Sequence, residues 1–419
     1  MCKPKPFNSV GNKTLIGAIT QLLTLDHLPL KGALKDEQLE IVEQAGILIQ
    51  DEKILKISRW NELKADFPDA EMVELEGEFV ALPGFVDCHT HICFGGARAM
   101  DFAMRNAGKS YLEIAEAGGG IWDTVMQTRK LTGEELASIT VKNADRHLSE
   151  GVTTIEVKSG YGLSLEEELK MLRAIQLAGL STPADLIATC LAAHMKPRDF
   201  AGTAADYLQL ISQSLFPRLK EEKLGNRMDA FVEKSAFSPE EITPYLRKAK
   251  EMGFDLTIHA DQFSTGGSAL AVELGALSAD HLEASTGREI SLLANSSTIA
   301  VALPGASIGL GCAFAPARKI LDQGGAVAIA SDWNPGSAPM GDLLVQASIL
   351  ATFEKLSTAE VYAGITFRAA AALGVNDRGK LIAGHLADFI LFPTSDYRNI
   401  LYQQGKLKPT MVWKKGKMT

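Results

Sequence analysis

With 419 residues, 46% apolar and 22% charged, the chain is too long for one small core and has the balance of an ordinary globular protein. A net charge of −9 with no basic block excludes nucleic acid and anionic membrane as natural partners. Its five cysteines (Cys2, Cys88, Cys93, Cys190, Cys312) are scattered and odd in number, which argues against a disulfide framework and for a reducing compartment. Met1–Pro6 leads into no signal-type apolar core, and no run reaches membrane-spanning length, so a cytoplasmic location is expected.

Residues 12–82 read as short strands and turns. Leu15 to Leu25 is apolar, and 46–50 and 54–57 flank Asp51-Glu52-Lys53 as a hairpin. The pattern continues through Met72 to Val80. Phe79 to Val86 then reads as one buried strand, running into His89-Thr90-His91. Side chains two apart on a strand share a face, so both imidazoles can aim at one point.

Beyond this point apolar runs alternate with helix-length segments. The expected strands are 153–157, 186–193, 229–233, 255–259, 277–281, 298–303 and 326–331. Helical patterns lie between them at 133–149, 165–178, 239–252 and 266–274. Eight strands alternating with helices predict an α/β fold closed into a (β/α)8 TIM-like barrel; a doubly wound open sheet is the alternative. No G-x-G-x-x-G follows the first strand, which counts against a dinucleotide site. Ser357-Thr358-Ala359-Glu360 fits a capping box before an alanine-rich helix, 361–373. Strand character returns at 388–392 and 411–413. The expected organisation is a small β-sandwich domain built from both chain ends, 1–82 and 375–419, around a barrel at 83–374.

In a barrel, the C-terminal strand ends share one mouth. Five of the eight histidines fall there: His89, His91, His194, His259 and His281. His27, His147 and His385 lie elsewhere and read as surface or structural residues. Asp332 ends the eighth strand. Such a cluster points to a metal or a proton-transfer site.

These positions resemble the amidohydrolase superfamily: H-x-H after strand one, His after strands five and six, Asp after strand eight. The resemblance narrows through Phe94-Gly95-Gly96-Ala97-Arg98, Lys158-Ser159-Gly160-Tyr161-Gly162, His259-Ala260-Asp261-Gln262 and Asp332-Trp333-Asn334-Pro335-Gly336-Ser337. It then fits members that open the cyclic amide of 4-imidazolone-5-propanoate to N-formimidoyl-L-glutamate. It implies one divalent or trivalent metal ion, zinc or iron, on His89, His91, His259 and Asp332. Asp332 would accept water's proton and pass it to the departing nitrogen, and His281 would hydrogen-bond the carbonyl oxygen or support the metal. Arg98, Tyr161, His194, Gln262, Asn334, Gly336 and Ser337 are implied substrate contacts, with Tyr111 a further candidate. Arg98 suits the substrate carboxylate, and the Gln262 amide can orient but not shuttle a proton. Lys158 and Lys234 read as structural, not as a bridging lysine between two metals, and Cys88 as a small buried residue. Residues 104–120 are the expected cover, and a homodimer is implied. The rivals are a cytosine- or guanine-type aminohydrolase on the same fold and a metal-free scaffold.

Overall fold

The computed structural model describes residues 13–419; Cys2, the rest of Met1–Pro6 and the side chain of Tyr111 lie outside the described residues. Eight strands form one parallel sheet in chain order. They are Phe85–Asp87, Val152–Lys158, Asp185–Ala193, Arg227–Val232, Asp255–Ala260, Ser278–His281, Ile299–Ala302 and Val327–Ile329. Past the strand ends the seam between first and last is stitched by backbone bonds. Asp332 N–H donates to His89 O at 3.0 Å, and His91 N–H donates to Trp333 O at 2.9 Å. Asp87 tightens it further, its Oδ1 accepting from the Ser331 N–H at 3.0 Å. The expected (β/α)8 barrel is thus the observed one.

The helices between the strands start where side-chain caps allow. Thr132, Ser164, Thr203 and Ser238 each accept a backbone N–H of the first turn, and each such cap is worth about 1 kcal/mol. Two local expectations are corrected. The run 79–86 is not one strand. Val80–Pro83 pairs in the other sheet, and the barrel strand begins at Phe85. Gly84 is the joint; a Cβ there would lie 2.4 Å from Thr153 Oγ1, so the chain can turn against the neighbouring strand only without one. The helix expected at 361–373 is broken into Thr358–Gly364 and Phe367–Ala372. The reason is competition for a carbonyl, since Ile365 O accepts the Val86 N–H of the first barrel strand at 2.8 Å.

The second sheet is built from both ends. Its strands are Lys13–Leu23, Ile41–Gln50, Lys53–Arg59, Glu71–Glu74, Val80–Pro83, Phe389–Phe392, Met411–Lys414 and Lys417–Met418. Val80–Pro83 sits at the centre, parallel to the first strand and antiparallel to Phe389–Phe392. Ile16, Ile47, Leu391 and Trp413, from opposite ends of the sequence, share one apolar cluster. Among the described residues no helix is long and apolar enough to cross a membrane.

Asp185, at the start of the third barrel strand, ties this sheet to the barrel. Its carboxylate meets Arg378 at 2.6 Å, Lys414 at 2.8 Å and Lys415 at 2.9 Å. Burial opposes its charge, but the three cations outweigh it and hold the carboxyl down at about 2. A carboxyl depressed by folding stabilises above its unfolded pKa of about 3.9 and loses that contribution as pH falls toward the folded value. Asp185→Asn is therefore expected to lower the urea midpoint at pH 7, with the gap from wild type closing between about pH 4 and pH 2. A constant gap down to pH 2 would contradict it.

Candidate active site

His89 and His91 do not lie in the strand itself but in the segment just past it. Thr90 between them is pinned to the second strand, its hydroxyl donating to Glu156 O at 2.6 Å and its N–H to Glu156 Oε2 at 3.2 Å. The two imidazoles thereby face Asp332, whose Oδ1 is 3.5 Å from His89 Nε2 and 3.4 Å from His91 Nε2. His259 Nε2 completes the group 3.4 Å from His91 Nε2.

These residues fit a metal ion. Four ligands at about 2.0–2.2 Å from one centre stand about 3.3–3.6 Å apart in a tetrahedron, and the three separations of 3.5, 3.4 and 3.4 Å given above fall in that range. His89 Nε2 is buried and has no hydrogen-bond partner. Burial drives the His89 imidazole well below its ordinary pKa and brings His259 to about 4, so both present neutral nitrogens. Their other nitrogens are anchored: His89 Nδ1 to Asp280 Oδ2 at 2.6 Å, His259 Nδ1 to Asp229 Oδ2 at 2.8 Å. A carboxylate behind the imidazole fixes the ring orientation and tautomer that a metal ligand needs. His281 also approaches His89 and His259 closely enough to offer an alternative ligand set. Its electrostatics differ, however. Burial pulls its pKa down, but Glu283, with Oε1 3.5 Å from His281 Nδ1, more than offsets this and the pKa rises. An imidazole biased toward its charged form is a better donor than ligand.

The backbone is strained at this mouth. Asp261, His281, Leu282 and Asp332 have φ of 52°, 89°, 75° and 50°. Each such non-glycine residue costs about 1–3 kcal/mol and persists only where the surroundings impose it. For Asp332 they do, through its N–H bond to His89 O at 3.0 Å.

All seven expected substrate contacts line one cavity of about 810 Å³, together with His91, His259, His281 and Asp332; His89 lies behind them, fully buried. Tyr161 is carried on a loop wrapped around the buried Glu168, which accepts the N–H groups of Gly160, Gly162 and Leu163 at 3.1, 2.9 and 2.7 Å. The same loop offers Gly160 O to His194 Nδ1 at 3.0 Å. Asn334 shapes the loop after strand eight, its Oδ1 accepting from both Gly336 N–H and Ser337 N–H at 2.8 Å. From the segment expected to cover the mouth, Arg105, Lys109 and Ile114 line the cavity.

Lys158 is buried between Glu156 Oε1 at 2.7 Å and Asp229 Oδ2 at 2.8 Å. Lys234 is exposed and lines the cavity together with Glu233, which accepts Phe263 N–H and Ser264 N–H at 2.8 and 3.2 Å. Lys158 is thus committed to two carboxylates. His147 is no surface residue: it is fully buried, 3.3 Å from Asp87 Oδ2 and edge-on to Trp333. Sequence reasoning missed Asp229, Asp280 and Arg105 as individual contributors. The two aspartates carried a signal, since a charged residue inside an apolar barrel strand demands a buried partner.

The amidohydrolase family model matches residues 80–419. An imidazolonepropionase of Bdellovibrio bacteriovorus is 41% identical over 96% of both chains, and one of Bacillus cytotoxicus is 40% identical over the same shares. Among solved structures, a triazine hydrolase variant superposes with a TM-score of 0.76 at 17% identity, covering 97% of this chain and 94% of its own. An adenosine deaminase from Xanthomonas campestris with bound zinc gives 0.72 at 18% identity, covering 97% and 93%. At such identities these two structures speak for the fold alone.

Proposed function

The chain belongs to the amidohydrolase family, and we propose that it opens the cyclic amide of 4-imidazolone-5-propanoate to N-formimidoyl-L-glutamate, a step in histidine breakdown. The observation that carries the reading is one cavity that joins a histidine–aspartate cluster to the Arg98 guanidinium. The first suits an amide to be hydrolysed, the second a propanoate.

His89, His91, His259 and Asp332 would hold the metal, zinc or iron. When bound, it supplies Lewis acidity that polarises the amide carbonyl and makes water nucleophilic near neutral pH. The remaining work belongs to side chains. Arg98 receives the propanoate through its two Nη groups, its Nε being committed to Asp101 Oδ2 at 2.7 Å. Asp332 takes the proton of the attacking water and returns it to the ring nitrogen as the C–N bond breaks. The carbonyl carbon, still bonded to the carbon that bears the propanoate, becomes the new carboxylate, and the released nitrogen stays in the formimidoyl group. His281 donates to the carbonyl oxygen as negative charge develops there. Tyr161, His194, Gln262, Asn334, Gly336 and Ser337 hold the ring; Gln262, an amide, can only orient. A cytoplasmic location, in keeping with the scattered, odd cysteines, and the homodimer that the family resemblance implies complete the reading.

The test is to mix fresh imidazolonepropanoate with metal-replete protein and follow the ring's ultraviolet absorbance beside a chelated control. Metal-dependent loss with formimidoylglutamate as product supports the reading. No loss despite bound metal discards this substrate in favour of nucleobases and other cyclic amides. Arg98→Ala is expected to raise KM for imidazolonepropanoate at least about tenfold with kcat changed far less. An unchanged KM would remove Arg98 from the site.

A further inference from the structure

Arg105 stands on the helix Ala99–Asn106 and lines the same cavity as Arg98. Both guanidinium groups gather at Gly336. Arg105 Nη2 donates to Gly336 O at 3.4 Å, and a Cβ on Gly336 would lie only 2.2 Å from Arg98 Nη1. Arg105 Nη1 donates to Gly309 O at 2.7 Å. Among the described residues Arg105 makes no ion pair. The nearby carboxylate, Asp101, is already committed to Arg98 Nε at 2.7 Å and to Gly120 N–H at 2.9 Å. Of the two lysines that also line the cavity, Lys109 is matched by Glu113 at 2.8 Å, and Lys234 stands on the segment after the fourth strand. Two guanidinium charges therefore share one carboxylate beside a cavity. Partial burial, then the like charge of Arg98, lowers the Arg105 pKa, and Asp101 offsets this only in part. An anionic group entering the cavity relieves that imbalance.

We propose that Arg105 is a second carboxylate-reading residue, which with Arg98 brackets the anionic side chain of the substrate and sets the preference for substrates that carry one. This rests on the substrate reading above and deepens it. Its carbonyl contacts also give Arg105 a competing role as a mere tether between its helix and the loops at Gly309 and Gly336. Two ligands of like shape separate these roles, imidazole-4-propanoate and its primary amide, each titrated calorimetrically into metal-loaded wild type, Arg105→Gln and Arg105→Lys.

Wild type is expected to bind the carboxylate at least about tenfold more tightly than the amide. Arg105→Gln should lose about tenfold for the carboxylate and less than about twofold for the amide, and Arg105→Lys should fall between, keeping the charge but not the fork. If Arg105→Gln weakens both ligands alike, or neither, Arg105 is a tether or a bystander and the proposal falls alone. If wild type itself binds the two equally, no carboxylate is read at all, and the substrate reading falls with it.

Discussion

Asp332→Asn is expected to lower kcat on imidazolonepropanoate by about 10³-fold or more, within or beyond the 10²–10⁴-fold typical of a lost general acid–base group. The isosteric amide preserves shape, and the Asp332 N–H bond to His89 O at 3.0 Å does not involve the side chain. The strained φ of 50° should thus persist in the variant. What disappears is a group that can take and return a proton while facing His89 Nε2 and His91 Nε2 at 3.5 and 3.4 Å. Metal content, measured on the same preparation by elemental mass spectrometry, divides the loss. A variant that keeps its metal and still fails shows the proton-transfer role; one that loses the metal shows the ligand role. A variant within tenfold of wild type, metal retained, would remove Asp332 from the chemistry and leave Glu283 or His281 to carry the proton.

Lys158→Met should be the most damaging substitution for stability. The ammonium is fully buried, and although burial works against its charge, Asp229, Glu156 and Asp280 more than compensate and raise its pKa. Removing it leaves Glu156 and Asp229 facing each other without a counter-ion, and breaking a buried pair in this way costs about 3–5 kcal/mol. Denaturant unfolding should show the loss as a lower midpoint at unchanged slope. Asp229 Oδ2 also holds His259 Nδ1 at 2.8 Å, so metal affinity should fall together with stability. The double variant Lys158→Met/Asp229→Asn should recover part of the stability, because one orphaned charge goes with the other, but not the metal affinity. Full stability in the single variant would mean that Lys158 is not charged in the fold.

Much of this architecture was legible from local pattern. Apolar runs of strand length, each ending in a polar residue able to do chemistry, marked the barrel mouth. His194, His259, His281 and Asp332 all line the cavity; His259 and His281 stand in the ends of their strands, while His194 lies one residue past its own and Asp332 three. The division at Gly84 was not legible. Val80–Pro83 and Phe85–Asp87 are equally buried, and an apolar run does not say which of two sheets it joins. Nor was the break near Thr366, where the competing partner, Val86 N–H, lies far away in the sequence. Arg105 was hidden differently, since a cation on a helix of mixed polarity reads as a solvated face until the loop after strand eight is folded against it.

The central position of Val80–Pro83 in the second sheet bears on biosynthesis. Its partner on one side, Lys13–Leu23, has already been made when it emerges, but its partner on the other, Phe389–Phe392, comes almost at the end of the chain. At about 5–20 residues per second, the roughly 300 intervening residues take about 15–60 s to synthesise. Throughout that time an apolar strand edge stands open, of the kind that recruits strands from other chains. Nascent or prematurely terminated chains should therefore draw on chaperones to keep that edge from pairing with a neighbour on the same polysome, and the pairing of Phe389–Phe392 is the event that ends the hazard.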